Sequence, residues 1–199
     1  MSQFGKIEFS TDKHEWSPSP LADQIILVST LEEDGSPNVA TKSWVSMAAF
    51  GPPPIIMFGC NTEHATAKNI LKRGEFVINI PSDGLLATCW IVGSDPNIRG
   101  IDRFKNNSLT PIPSMKIRTP RVGECKAHLE CVLDSTKKWG KEIVFFGKIV
   151  GASMNADLLE GDVKERYCKL APLFYLDDVW AAPLGEPRRP VDPKPEKSC

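Results

Sequence analysis

The sequence predicts a mainly β fold with short helices, its strands arranged as an antiparallel barrel. Three observations carry this. Residues 127–150 read as a hairpin, in which Ala127, Leu129, Cys131 and Leu133 alternate with polar residues, KKWGKE turns the chain, and Ile143 to Val150 returns. Residues 25–31, IILVSTL, are apolar and rich in β-branched side chains, as a buried strand is, and Asp34-Gly35 follows as a hairpin signal. Residues 37–80 then run strand, Pro-marked turn, apolar strand, short helix and strand.

In chain order, residues 1–16 form an N-terminal arm, and Pro18 and Pro20 hold an extended entry. The main domain spans 17–182. Within it, the strand ATKSWVS (40–46) departs from the core pattern, because Thr41, Lys42, Ser43 and Ser46 surround a single Trp44. Hydroxyls and an ammonium are the groups a phosphate needs. The plainer reading is the wet face of an edge strand. Strict alternation also sends Thr41 and Ser43 to one face and Lys42, Trp44 and Ser46 to the other, so only a bulge or a site between subunits would reunite them.

A second polar cluster, CNTEHATAKN (60–69), opens a helix with Thr62 as its expected N-cap, Glu63 at the positive end of the dipole and Gly74 as the C′ residue after Lys72 and Arg73. Free N–H groups there suit an anion. Capping and anion binding draw on the same groups, so Cys60, Asn61, Thr62, His64 and Thr66 carry both readings. Asn69 and Lys68 read as solvated helix positions, with Asn69 kept among the candidates. Near a phosphate His64 would favour its charged form; on an open surface it would be inert.

Beyond Ile80, Ser82 or Asp83 starts a helix, residues 94–100 form a loop, and 100–117 mix a short helix with a Pro-spaced loop. Asp102 and Arg103 cap or pair locally. His128, in an alternating strand, reads as structural. Trp44 and Trp90 suit either core packing, the commoner fate of tryptophan, or stacking on a planar ligand. GDVKERYCKL (161–170) reads as a charged helix. Residues 183–199 are an extended or disordered tail with five prolines from Pro183 onward.

Composition narrows the function classes. With 41% hydrophobic and 25% charged residues the chain can bury a core. A net charge of −1 argues against a nucleic-acid or membrane-surface partner. No apolar run approaches the ~18 residues of a span, and the first residues lack an apolar signal region, so the cytoplasm is the expected compartment. The cysteines (60, 89, 125, 131, 168 and 199) form no C-x-x-C and are expected reduced, and no histidine pairs with one at zinc-ligand spacing. G-x-G, G-K-[ST], H-E-x-x-H and G-x-S-x-G are all absent. A bound nucleotide would have to be held another way.

Several stretches in order resemble one family: 24–47 (QIILVSTLEEDGSPNVATKSWVSM), 51–60 (GPPPIIMFGC), 66–82 (TAKNILKRGEFVINIPS), 100–117 (GIDRFKNNSLTPIPSMKI), 121–133 (RVGECKAHLECVL) and 145–151 (FFGKIVG). The chain is similar to the flavin reductase-like, FMN-binding split-barrel proteins, and among them to the flavoredoxin-type branch. The resemblance implies a Greek-key split β-barrel and a homodimer with FMN, tightly bound or exchangeable, near the interface. It implies cofactor contacts from Thr41, Lys42, Ser43, Trp44, Val45, Ser46 and Met47, and from Cys60, Asn61, Thr62, His64, Thr66 and Asn69. Lys42, Ser43, Thr62 and Thr66 would hold the phosphate, and 44–47 would line the ring or ribityl chain. Residues 100–117 would lie over the flavin. NADH or NADPH would pass hydride to flavin N5, which requires no protein acid or base. The alternatives are an electron carrier fed by a redox protein, and a degenerate member that only binds a ligand or builds a dimer. Relatives often carry an apolar residue where this chain has Lys42; the lysine would strengthen phosphate binding or contact flavin N1/O2.

Overall fold

The computed structural model describes residues 20–94, 102–177 and 180–188, together with Gly5 and Thr11. The expected arm, most of the tail and the 95–101 loop lie outside the described residues. In chain order the elements are β1 (Asp23–Gln24), β2 (Ile26–Leu31), β3 (Pro37–Lys42), β4 (Val45–Ala49), β5 (Ile55–Asn61), α1 (Ala65–Arg73) and β6 (Glu75–Ile80). A 3-10 turn (Asp83–Leu85) leads into α2 (Leu86–Ser94), followed by α3 (Arg103–Asn106), β7 (Pro111–Ile112), β8 (Arg121–Val122), β9 (Ala127–Trp139) and β10 (Glu142–Met154). A second 3-10 turn (Ala156–Leu158), α4 (Val163–Leu170), β11 (Leu173–Asp177) and β12 (Trp180–Pro183) complete the described chain.

Seven strands form one antiparallel sheet in the order β3-β2-β6-β9-β10-β5-β4. Its two edge strands, β3 and β4, are consecutive in sequence and separated only by Ser43 and Trp44. A two-residue link between opposite edges forces the sheet to curl. The result is a barrel that stays split between β3 and β4. The single strand expected around ATKSWVS (40–46) is therefore two. At the link Val45 N–H donates to Ser43 O at 3.0 Å, and Trp44 O accepts from Gly59 N–H at 2.9 Å. Alternation fails here because the chain changes edges.

Ile26, Val28, Ile56, Phe58, Phe76, Ile78, Ile143 and Phe145 fill the barrel, with Ala67 and Ile70 of α1 packed among them. Phe58 meets Phe76 edge-on and stacks on Phe145, both at 5.4 Å between ring centroids. Leu27 and Val39 face outward and are covered by Cys89 and Val92 of α2, Phe104 of α3, and Leu173. Both faces of β2 are thus buried, which is why IILVSTL carries so few polar residues. The hairpin forms as expected and turns at Gly140 (φ 59°). The polar alternates of β9 are buried as well: His128 Nε2 lies 2.9 Å from Val122 O, and Glu130 accepts Met115 N–H and Lys116 N–H at 2.9 and 2.7 Å. The segment 113–122 closes over that face, so polar residues there are satisfied rather than wet.

Helix α1 ends as expected on Gly74, whose φ of 72° suits a residue without Cβ. Its start differs. The N-cap is His64, not Thr62. Asn61 explains the shift: its Oδ1 accepts Glu63 N–H at 2.9 Å and its carbonyl accepts His64 N–H at 3.1 Å, while Thr62 N–H goes to Lys141 O at 2.8 Å. That turn consumes the residues expected to begin the helix. Asp102 caps α3 by accepting Lys105 N–H, and α4 opens with an Asp162/Glu165 capping box. No helix among the described residues is long and apolar enough to cross a membrane.

Candidate functional site

The two polar clusters of the sequence meet at the split. Lys42 closes β3, and its Nζ lies 3.5 Å from His64 Nδ1. Cys60, at the end of β5, places Sγ 3.6 Å from the same nitrogen. His64 is itself the N-cap of α1, so the cluster sits at the start of that helix. Arg103 of α3, only 4% exposed, donates from Nη1 to Val92 O at 3.2 Å, and its charge bears on both Lys42 and His64.

This is a concentration of positive charge. Among the described residues no carboxylate forms an ion pair with Lys42 or His64. Burial holds the Lys42 ammonium below its usual range, and Arg103 adds to the effect. Burial also depresses His64, followed by the charges of Lys42 and Arg103. The Cys60 thiol is pushed up to about 11 by burial, so it stays protonated at neutral pH and is no nucleophile.

Two clefts flank the Ser43–Trp44 link. One, of about 220 Å³, is lined by Thr41, Lys42 and Ser43 with Cys89, Trp90 and Tyr175. The other, of about 510 Å³, is lined by Trp44, Val45 and Ser46 with Met57, Gly59 and Tyr175. The Trp44 ring lies so close on Gly59 that a Cβ there would stand 2.8 Å from Cε3. Trp44 is 57% exposed and Trp90 49%; neither is the core tryptophan that composition favours.

Not every candidate side chain faces this space. Thr41 Oγ1 donates to Cys89 O at 2.6 Å and anchors α2. Asn69, expected on the solvated face, is buried and donates to Thr30 Oγ1 at 3.0 Å. Thr66 is buried in the first turn of α1, Met47 packs against the barrel core, and the Asn61 amide is 3.4 Å from Glu142 Oε1. The sequence gives Arg103 no role beyond local pairing, because one arginine in a four-residue helix makes no pattern. The Lys42 ammonium and the His64 imidazole at the start of α1, with the charge of Arg103 bearing on both and Ser43 lining a cleft with Lys42, are groups that fit a phosphate.

The depressed histidines have a consequence for stability. His128 is lowered too, mainly by burial. A folded-state value below the ordinary ~6.5 means that the unfolded chain binds more protons near that pH. Stability contributed by neutral His64 and His128 is therefore complete above about pH 6.5 and is lost as pH falls toward their folded-state values. The melting temperature of the ligand-free protein should fall steadily from about pH 7.5 to about 5.5; a flat or rising profile would contradict the buried, neutral assignment.

Residues 19–179 match the family model described as flavin reductase like domain. An uncharacterised protein of Pyrococcus abyssi is 32% identical over 62% of this chain and 70% of its own. A protein named flavin reductase (NADH) from Kitasatospora aureofaciens is 26% identical over 63% of each chain. Among solved structures, the flavoredoxin of Desulfovibrio vulgaris (Miyazaki F) superposes with a TM-score of 0.78 at 22% identity, covering 96% of this chain and 97% of that one. At that identity the likeness speaks for the fold.

Proposed function

The chain belongs to the flavin reductase-like domain family, and on that premise we propose that it is an FMN-dependent oxidoreductase that takes electrons from NADH or NADPH. The observation that carries the flavin reading is the cluster of Lys42, His64 and Arg103 at the N-terminus of α1, positive charge gathered in the place where the family resemblance expects the phosphate. In this reading Lys42 and Ser43 hold the phosphate, with His64 and the α1 N–H groups behind them. Trp44, Val45 and Ser46 form one wall for the planar ring, and Gly59 fixes the height of Trp44 above the sheet. Bound flavin would supply two-electron chemistry at N5; the protein's part is to bind it, orient it and exclude water.

The second subunit belongs to the same reading. Leu21 and Leu176 are exposed in the cleft that Trp44 lines, and Phe50, 85% exposed, follows β4, which is an edge strand among the described residues. An exposed apolar rim of this kind marks a protein interface, and we place the partner subunit of a homodimer there. Sedimentation should give twice the 22.0 kDa chain mass; a species of the single-chain mass would remove the dimer.

The donor is tested by steady-state oxidation of NADH and NADPH with added FMN. Turnover with either supports the reductase. No turnover with either, in a protein that still binds FMN, would replace it by an electron carrier fed by a redox protein.

A further inference from the structure

The Lys42–His64 contact poses a problem that the phosphate reading does not by itself resolve. Lys42 Nζ lies 3.5 Å from His64 Nδ1; a lysine ammonium has only donors, so as an ammonium it can bond this nitrogen only while Nδ1 is unprotonated. The charges that lower His64 are all positive, those of Lys42, Arg103 and Lys68. From β3 comes Lys42, from α3 Arg103, and from α1 Lys68, which is paired with Glu63 at 3.0 Å. From β5 comes the Cys60 thiol, which is neutral. Glu142 of β10 is turned to the Asn61 amide at 3.4 Å. The pocket without ligand therefore holds one proton fewer than its basic groups could carry.

We propose that filling this pocket with a phosphate dianion adds a proton to the Lys42–His64 pair, so that the chain takes up phosphate-bearing flavin and a proton together. The inference rests on the FMN reading above and deepens it. The proton comes from the buffer and settles on the imidazole. Lys42 and His64 can then both be charged, because two negative charges beside them offset their mutual repulsion and that of Arg103. Affinity for FMN is thereby linked to pH through this chain's own residues, apart from the titration of the phosphate itself near about pH 6.

The test is titration calorimetry with FMN and with riboflavin at about pH 7.5, where the free phosphate is mostly dianionic, in phosphate-free buffers of different ionisation enthalpy. The slope of apparent enthalpy against buffer enthalpy counts protons. Wild type should take up a clear fraction of a proton, up to one, with FMN and none with riboflavin; His64→Gln should bind FMN without uptake. FMN binding with no uptake in wild type, equal uptake with riboflavin, or unchanged uptake in His64→Gln would each overturn the inference while leaving the cofactor reading standing. Should the variant fail to fold, the wild-type comparison of FMN with riboflavin decides alone. Failure of FMN to bind in any buffer would overturn the cofactor reading itself, and this inference with it.

Discussion

Lys42→Met should weaken FMN binding about 10- to 100-fold and leave riboflavin binding close to wild type. A hydrogen bond to a charged group contributes about 1.5–3 kcal/mol, and each ~1.4 kcal/mol is tenfold in affinity. The contrast between the two ligands matters because riboflavin lacks only the phosphate. The same substitution should not harm the ligand-free fold. Lys42 is buried enough to lose hydration, forms no ion pair among the described residues, and sits opposite His64 with Arg103 nearby. Methionine keeps the apolar stem and removes a charge that the empty pocket does not favour. The melting temperature of ligand-free Lys42→Met should thus be unchanged or raised. Equal loss of FMN and riboflavin would move Lys42 to the ring, near N1/O2; no loss of either would remove it from the site.

Gly147→Ala should destabilise the fold severely, although it adds a single methyl group. Gly147 lies in β10 between Ile56 of β5 and Leu133 of β9. A Cβ there would stand 2.4 Å from Phe76 Cζ and 3.1 Å from Cys131 Cβ. Phe76 cannot retreat, since it is fully buried and packed edge-on against Phe58. Overpacking a dense core costs about 1–3 kcal/mol, and this contact belongs at the upper end. At roughly 2–4 °C per kcal/mol for a chain of this size, thermal unfolding should occur about 6–12 °C lower. A change below about 1 °C would show that the barrel interior has room that the packing of Phe76 denies.

What the sequence made legible follows from the range of each signal. Local signals survived. The β9–β10 hairpin, the apolar β2, the Asp34-Gly35 turn and the Gly74 C′ position depend on residues within a few places of one another, and all form. The family resemblance brought the two polar clusters to one site, and the structure places Lys42 against His64. What failed depended on distant partners. The change of edge at Ser43–Trp44 cannot be read from alternation, because only the closure of β4 on β5 gives it a reason. The shift of the α1 cap to His64 depends on Lys141, which takes Thr62 N–H from the hairpin tip. Asn69 is polar and helical, yet Thr30 captures it in the interior. Glu130 and His128 look like wet alternates until the 113–122 segment covers them. Arg103 acts through charge across space, and nothing in its neighbours along the chain announces that.

On the proposed reading, the split between β3 and β4 holds a flavin by its phosphate. The visible spectrum of the purified protein, recorded alone and during addition of FMN, tests it most directly. A yellow chromophore should either co-purify or shift and saturate as FMN is added, with riboflavin far less effective. A spectrum that remains the sum of free FMN and colourless protein at every concentration would contradict the claim.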